Sequence, residues 1–293
     1  MHYIDLFLHH LASERHLSAA TVDRYRRGLK SVKDYLAGQG RESDLTDLTT
    51  GDVRGWMMHE LGEGKDVATV KPALSALRTF YKYLRLRGLV DHNPMQTIVT
   101  PKTKKRLPVF VRESEMDQLL DRVEFPEGFE GRLHHLILQT FYSTGVRVSE
   151  LIGLNVGSID FGAQTLKVLG KRNKERIIPF GPELEEELRA YVALRNEQVA
   201  QDDALFIGKT GKRISQGAVE RIVHYYLGQV TTLKKRSPHV LRHSFATAML
   251  NHGADIRVVQ ELLGHESVET TAIYTHLTVE DIKRSYKQAH PRG

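Results

Sequence analysis

The chain has 293 residues, of which 40% are hydrophobic and 27% are charged. This composition is close to that of average globular proteins and excludes a largely disordered, collagen-like or simple coiled-coil chain. The sequence has no cysteine, which excludes disulfide bonds, thiolate metal sites and cysteine nucleophiles and is typical of a reducing compartment, so we expect a cytoplasmic location. Because it has neither an apolar run of about 18 residues nor a basic, apolar leader, we expect no membrane span and no signal peptide.

Basic residues are concentrated in the first third of the chain. Residues 1–106 contain 18 Lys+Arg and 12 Asp+Glu, so the net charge of +6 of the whole chain is already present there. A basic domain favours a polyanionic partner such as nucleic acid, because neutralising phosphates releases counterions. An ordinary solvated surface explains the same excess, and the charge alone leaves both interpretations open.

Four helices are predicted before a basic, proline-flanked segment. Apolar residues recur at helical spacing after Ser18, which fits an N-cap, and Gly38 fits a stop. The four helices are predicted at residues 3–11, 18–38, 50–61 and 66–86. The stretch from Pro101 to Pro108 cannot continue a helix and indicates an extended linker. We therefore expect a front domain at 1–98, a linker at 99–109 and a second domain at 110–293.

The second domain is predicted to be mainly α with one small antiparallel β-sheet. Helices are predicted at residues 113–122, 132–143, 148–154, 182–198, 215–228, 238–252, 256–263, 268–276 and 279–288. Strands are predicted at residues 158–161, 165–169 and 175–180, separated by turns rich in glycine and lysine. No alternation of strands and helices supports a Rossmann sheet. The predicted fold class is therefore mainly α and multi-domain.

Five short segments of the second domain carry strongly basic or proton-transferring residues, and each has an ordinary explanation when taken alone. Arg147 follows a turn at Gly145 and begins a helix, where it is either a surface arginine or an anion ligand. Lys171 lies in a basic turn between two predicted strands. Such a turn is usually a solvated hairpin tip, but a flexible ammonium there is able to reach a phosphate or protonate a leaving oxygen.

The other segments add histidines and a tyrosine. His239 and Arg242 are three residues apart at the start of a predicted helix and therefore share a face. His239 and His243 have the spacing of a zinc pair, but no HExxH glutamate and no third ligand accompany them. We predict no metal site, and a buried structural hydrogen bond for His243. His265 alone fits a helix end, and Tyr274 alone fits an apolar core.

In this order, the segments GVRVSEL, GKRNKERIIPF, HVLRHSFAT and LLGHESVETTAIYTH, with the ending HPRG, resemble the tyrosine recombinase (phage integrase) family, most of all its Xer-type recombinases. The resemblance covers nearly the whole chain and implies a core-binding (SAM-like) front domain followed by a catalytic domain. The catalytic residues that it implies are Arg147, Lys171, His239, Arg242, His265 and the nucleophile Tyr274. Val146 replaces a more common leucine, which concerns packing and not chemistry. Glu150 matches an acidic position that buttresses the family's site, although a glutamate in a first helical turn needs no such role.

The resemblance also implies the reaction and the partners. Both arginines bind the nonbridging oxygens of a phosphodiester, Lys171 protonates the leaving 5′ oxygen, and Tyr274 becomes bonded to the 3′ phosphate. Because that bond conserves the energy of the phosphodiester, neither ATP nor a metal nor another cofactor is implied. The implied partners are duplex DNA, held in a C-shaped clamp, and a tetramer of one or two subunit types that exchanges strands between two sites through a Holliday junction. Whether a DNA translocase activates the tetramer is left open.

The last predicted helix has a capping box at Thr278 and an apolar stripe formed by Ile282, Tyr286 and Ala289. This stripe requires a partner surface. It either packs on its own domain or, as the resemblance implies, docks into a neighbouring protomer.

The function we expect is site-specific recombination that resolves chromosome or plasmid dimers. Several other functions share its chemistry or its fold. A type IB topoisomerase-like enzyme has the same chemistry, and a phage or transposon integrase has the same fold. Integrases that bind arm sites usually carry an additional N-terminal module, whereas here the predicted core-binding helices begin at the first residues, so we favour dimer resolution. A DNA-binding regulator that no longer cleaves would lack a catalytic residue, and every position is filled.

Overall fold

The structure of the protein is a computed structural model that describes residues 3–101, 109–170, 174–198, 202–264 and 278–293. The chain divides into two compact units, Met1–Arg106 and Leu107–Gly293. The predicted helix at 268–276 and most of the predicted linker lie outside the described residues. Within the described ranges, the structure contains no helix with the length and apolar character needed to cross a bilayer.

Four helices form the first unit, as predicted. They are α1 (Tyr3–Ser13), α2 (Ala19–Gly38), α3 (Thr50–Gly62) and α4 (Val67–Leu86). The side-chain oxygens of Ser18, Thr49 and Asp66 accept backbone N–H groups in the first turns of α2, α3 and α4, and so satisfy donors that lack a partner within the helix. Trp56 and Phe80 are fully buried in the core of this unit.

The second unit is mainly helical with one small antiparallel sheet, which confirms the predicted fold class. Its helices are α5 (Glu113–Asp121), α6 (Phe129–Thr144), α7 (Val148–Gly153), α8 (Pro182–Glu197), α9 (Gln216–Val230), α10 (Pro238–Asn251), α11 (Ile256–Leu263) and α12 (Val279–Ala289). Its strands are β1 (Ile159–Asp160), β2 (Thr165–Leu169) and β3 (Glu175–Pro179), hydrogen-bonded in that order. Thr165 lies opposite Pro179 and Leu169 lies opposite Glu175, so β2 and β3 form a hairpin.

The central helix of the second unit is α6, which packs against α8 and α10. Leu136, Ile137 and Phe141 are fully buried in the core, and the last turn of the helix is buried as well. A helix that is apolar on most of its surface belongs in the interior of a domain. The end of α6 therefore delivers the residues that follow it, including Arg147, to a place fixed by the core.

The C-terminal helix α12 packs on its own unit. Ile282, Tyr286 and Ala289 are buried in the core of the second unit, and the Tyr286 hydroxyl donates a hydrogen bond of 3.0 Å to the carbonyl of Ser143. Thr278 forms the predicted capping box. Of the two arrangements left open by the sequence, the structure therefore contains the first, in which the stripe is covered by its own domain.

Candidate active site

Arg147 is placed by a tight turn between α6 and α7. Gly145 ends α6 in the left-handed conformation with φ of 59°, and a Cβ atom there would lie 2.5 Å from a ring carbon of Phe245, so both backbone and space require glycine. Arg147 then caps α7, where its backbone N–H and its Nη1 each donate a hydrogen bond of 2.7 Å to the carboxylate of Glu150. Its side chain keeps 32% of its surface exposed.

Arg242 reaches the same place from α10. The residue is only 8% exposed, and its Nη1 donates to the carbonyl of Gly145 at 2.7 Å, while its Nη2 donates to the carbonyl of Leu263 at 2.6 Å. Burial, and next the positive charge of Arg147, lower the pKa of Arg242 to about 10. The guanidinium is therefore charged at neutral pH, but its charge is poorly compensated.

Three arginines meet at the carbonyl end of α11. This helix ends at Gly264, whose φ is 62°. Three consecutive carbonyl groups each accept a hydrogen bond from a different arginine, in the pairs Arg176 Nε to Leu262 at 2.8 Å, Arg242 Nη2 to Leu263 at 2.6 Å and Arg147 Nη2 to Gly264 at 2.9 Å. The last carbonyls of a helix lack partners within the helix and carry partial negative charge. The end of α11 therefore holds Arg147 and Arg242 close together.

Glu150 is the carboxylate at the centre of this cluster. Its side chain is only 2% exposed, and both of its oxygens accept hydrogen bonds from the Nη atoms of Arg176, at 2.8 and 2.9 Å. Burial opposes ionisation, but the hydrogen bonds from Arg176 and from the backbone N–H of Arg147 outweigh it and lower the pKa of Glu150 to about 2. Glu150 is therefore a carboxylate shared by two guanidinium groups.

Arg176 is the residue of this cluster that motif reasoning missed. It lies on β3, in the strand predicted directly after the basic turn, and its side chain is only 11% exposed. The signal was the alternation along β3, in which Arg176 shares a face with the fully buried Ile178. A charged residue on the inward face of a strand requires a buried partner, and Glu150 supplies it.

A cleft of ≈ 830 Å³ opens beside the arginine cluster. The residues that line it are Arg147, Ser149, Glu150, Leu169, Gly170, Lys174, Glu175, Arg176, Glu261 and Gly264. Gly170 donates a hydrogen bond of 2.7 Å to the carbonyl of Lys174 at the end of the hairpin. Two of the expected catalytic residues, Lys171 and His265, each directly follow a lining residue in the sequence, but both, like Tyr274, lie outside the described residues.

The two histidines of α10 are exposed. His239 lies in the first turn of this helix, three residues before Arg242. The predicted buried hydrogen bond of His243 is wrong, because this side chain lies on the solvent side of the helix. Partial burial and next the neighbouring His239 lower the pKa of His243. In the part of the chain that the structure describes, no group of three His, Asp or Glu side chains is arranged to hold a metal ion.

The cluster is suited to bind a phosphate group. A guanidinium has five N–H donors in a fixed plane, and the side chains of Arg147 and Arg242 each use two of them in the bonds given above. Two planar cations held close together, of which Arg147 lines the cleft, have the donor geometry to bind an oxyanion. Their positions are set by the core before any ligand arrives, so little reorganisation is needed on binding.

The sequence matches the model of the phage integrase family over residues 109–281 and that of the phage integrase N-terminal SAM-like domain over residues 4–88. It is 37% identical to the tyrosine recombinase XerC of Pelotomaculum thermopropionicum, over 99% of this chain and 98% of that protein. It is 39% identical to the tyrosine recombinase XerC of Azotobacter vinelandii, over 99% of this chain and 96% of that protein. The fold resembles the crystal structure of the XerH site-specific recombinase bound to palindromic difH substrate in a post-cleavage complex, with a TM-score of 0.76, 18% identity and coverage of 99% of this chain and 92% of that one.

Proposed function

The chain belongs to the phage integrase family and is a tyrosine-type site-specific DNA recombinase, and we propose that Arg147 and Arg242 bind the phosphate that is cut. The observation that carries this assignment is their convergence. The two residues are far apart in the sequence, yet they contact adjacent carbonyl groups of Leu263 and Gly264. Arg147 also lines the cleft.

The chemistry of strand cleavage explains why two arginines are needed. A phosphodiester attacked by an oxygen nucleophile gains negative charge on its nonbridging oxygens. Arg147 and Arg242 are cationic at neutral pH and present their donors in a rigid fork, so they stabilise this charge without first having to reorganise. The lowered pKa of the buried Arg242 means that an incoming anion restores favourable electrostatics there.

We assign the remaining steps from the family and from the sequence. Tyr274 attacks the phosphate and becomes bonded to the 3′ end, and Lys171 protonates the departing 5′ oxygen, which is strongly basic. The positions of Gly170 and Lys174 at the cleft support Lys171, since Gly170 directly precedes it and Lys174 follows it by three residues. His239 and His265 supply further hydrogen bonds to the phosphate. Resealing reverses the same steps with a new 5′ hydroxyl, so the phosphotyrosyl bond supplies the energy for rejoining.

Duplex DNA is the proposed substrate, and four protomers are proposed to act on two sites. The first unit supports binding to DNA because its helix α2 carries five basic side chains against two acidic ones, Asp23 and Asp34, and the basic residues are Arg24, Arg26, Arg27, Lys30 and Lys33. The proposed process is resolution of chromosome or plasmid dimers in the cytoplasm, which is supported by full-length similarity to proteins named XerC. A DNA translocase is proposed as the activating partner of the tetramer.

Selection of genomic DNA tests this function. Fragments bound by the protein are sequenced to identify a common site, and duplexes carrying that site are then incubated with the protein. We expect both strands to be cut at fixed positions with protein bonded to the 3′ ends, and two sites in one plasmid to recombine. Selective binding without any cleavage would contradict the function and would favour a regulator that does not cut DNA.

A further inference from the structure

Arg176 connects three elements of the catalytic unit through one side chain. It lies on β3, its two Nη atoms donate to the two oxygens of Glu150 in α7, and its Nε donates to the carbonyl of Leu262 in α11. A bidentate bond between a guanidinium and a carboxylate fixes both orientation and distance. Arg176 therefore fixes α7 relative to the end of α11.

Charge balance gives Arg176 an effect on Arg147. Glu150 lies between two guanidinium groups, and among the described residues its buried carboxylate would, without Arg176, have Arg147 as its arginine partner. An almost fully buried carboxylate requires a cation as a partner, because leaving it unpaired is strongly destabilising. In that case the carboxylate of Glu150, to which Arg147 is already bonded at 2.7 Å, would be balanced by Arg147 alone, and the positive charge of Arg147 would be neutralised. Arg176 takes a share of the carboxylate and so leaves positive charge on Arg147 for a phosphate.

Arg176 also packs on Gly264, the residue that caps the end of α11. A Cβ atom on Gly264 would lie 3.2 Å from Nη1 of Arg176, so the glycine packs directly on the guanidinium. Gly264 accepts a hydrogen bond from Arg147 and immediately precedes His265 in the sequence. The same side chain that balances Glu150 therefore sets where the helix ends.

We propose that Arg176 is a positioning residue of the recombination site, which orients Arg147 through Glu150 and fixes the end of α11. This inference rests on the proposed function, in which Arg147 binds the phosphate that is cut. Although Arg176 lines the cleft, its side chain is only 11% exposed, and in this proposal it acts through Arg147 and not by contact with the substrate. Its loss should therefore slow strand cleavage while leaving DNA binding intact, because DNA affinity depends on many phosphate contacts elsewhere.

The first experiment measures single-turnover cleavage of a nicked site by Arg176→Met and Arg176→Lys. Arg176→Met is expected to cleave about 10-fold to 100-fold more slowly, as for a misplaced catalytic group. Arg176→Lys keeps the charge but not the three directed bonds, so it should lie between this variant and the wild type. The matched control is Arg189→Met, since Arg189 is an exposed arginine that pairs with Glu185 on α8. It should cleave at the wild-type rate.

The second experiment separates positioning from general support of the fold. Glu150→Gln in the Arg176→Met background removes the carboxylate that sequesters Arg147, and we expect cleavage to recover by about tenfold. Arg147→Ala combined with Arg176→Met should be no slower than Arg147→Ala alone, because Arg176 acts through Arg147. The proposal would be overturned if Glu150→Gln/Arg176→Met cleaved more slowly than Arg176→Met alone. It would also be overturned if the rate defects of Arg147→Ala and Arg176→Met multiplied in the double variant.

The outcomes also separate this proposal from the function on which it rests. If Arg147→Ala cleaves like the wild type, the assignment of the phosphate site fails. If Arg147→Ala is inactive and Arg176→Met cleaves normally, the role of Arg176 alone is refuted. Circular dichroism and thermal unfolding establish whether each variant is folded. If Arg176→Met does not fold, Arg176→Lys is compared with the wild type instead, and cleavage by Arg176→Lys at the wild-type rate refutes the role of Arg176.

Discussion

Arg147 and Arg242 lie in different environments, although both contact the end of α11. Arg147 is 32% exposed in its side chain and shares the carboxylate of Glu150, whereas Arg242 is 8% exposed and donates to backbone carbonyls. A buried cation with a lowered pKa gains most when an anion arrives, because the anion replaces the solvation that burial removed. We therefore expect Arg242 to bind the phosphate more strongly, and Arg147 to be more sensitive to its neighbours.

Lys171→Ala is expected to slow cleavage of ordinary DNA by about 10²-fold to 10⁴-fold, the usual contribution of a general acid. A substrate with sulfur in place of the bridging 5′ oxygen should largely restore the rate, since a thiolate leaves without a proton. Single-turnover cleavage of both substrates measures this effect, with Lys174→Ala as the neighbouring control and a milder expected defect. Equal defects on both substrates would show that Lys171 is not the acid.

Glu150 is expected to make stability depend on acid. Its pKa is lowered from 4.5 to about 2 in the folded protein. As the pH falls, the carboxylate of Glu150 is therefore protonated at a higher pH in the unfolded state than in the folded state. The stability it contributes is present above about pH 4.5 and is lost as the pH falls towards 2, by up to ~3 kcal/mol. The free energies of unfolding of the wild type and of Glu150→Gln, measured with urea, should therefore become more similar as the pH is lowered from neutral to about 3. A difference that stays constant with pH would contradict the lowered pKa.

At the scale of single residues, the sequence predicted Arg147 and Arg242 as site residues but did not indicate Arg176, which contacts the same cluster. Arg147 and Arg242 were identified as candidates because each lies in a short segment that resembles a motif of the recombinase family. Arg176 was missed because basic residues around a turn are usually solvated, and only its alternation with Ile178 indicated an inward direction. The wrong prediction for His243 has the same origin, since its spacing from His239 does not say which face of α10 is buried.

Two elements near the end of the chain have different roles: α11 contributes to the site, and α12 packs on the core of the second unit. The carbonyl groups at the end of α11 accept hydrogen bonds from three arginines, two of which are proposed to bind the phosphate. α12 packs against the end of α6, where the Tyr286 hydroxyl donates a hydrogen bond to the carbonyl of Ser143 and Nε2 of His290 donates one of 3.1 Å to the carbonyl of Tyr142. After it, Arg292 pairs with the carboxylates of Asp117, Asp121 and Glu183. These contacts make the tail part of the catalytic unit's own fold.

Tyr286→Ala is expected to destabilise the second unit by about 3–5 kcal/mol, because a fully buried aromatic ring is removed. Tyr286→Phe keeps the ring and loses only the hydrogen bond to Ser143, so it should cost about 1 kcal/mol. Urea unfolding of the two variants measures the difference. Unchanged stability of Tyr286→Ala would contradict packing of α12 on its own unit and would favour docking of the tail into another protomer.

Element prediction succeeded where side chains mark the helix ends. Ser18 and Thr278 were predicted as caps and both act as caps, because a side-chain acceptor at this position satisfies a free N–H. The stripe of α12 was predicted as well. Its partner was not, since helical periodicity shows which face of a helix is apolar but not which molecule covers that face.

At the scale of the molecule, binding and chemistry are expected to respond differently to salt and to chelators. DNA affinity should fall steeply with ionic strength, because phosphate contacts made by many basic residues dominate binding. Excess EDTA should leave strand cleavage intact, because Arg147 and Arg242 stabilise the phosphate charge. Gel-shift titrations at several salt concentrations and cleavage assays with EDTA measure both effects. A requirement of cleavage itself for magnesium would contradict the mechanism.

Local sequence patterns do not predict which distant segments of the chain come into contact in the fold. Periodicity and capping predict elements one at a time, whereas the site combines the turn before α7, strand β3, helix α10 and the end of α11. Only the resemblance of several motifs in order indicated that they act together. The three-arginine contact with α11 follows from tertiary packing, which no spacing rule contains.

The nucleophile is tested most directly with a nicked duplex that carries the selected genomic site and loses a short fragment after cleavage. Because the fragment diffuses away, the protein stays bonded to the 3′ end and accumulates. We predict a covalent adduct with the wild type, mapped by mass spectrometry to Tyr274, and no adduct with Tyr274→Phe, which still binds the site. An adduct that persists in Tyr274→Phe or maps to another residue would contradict the assignment.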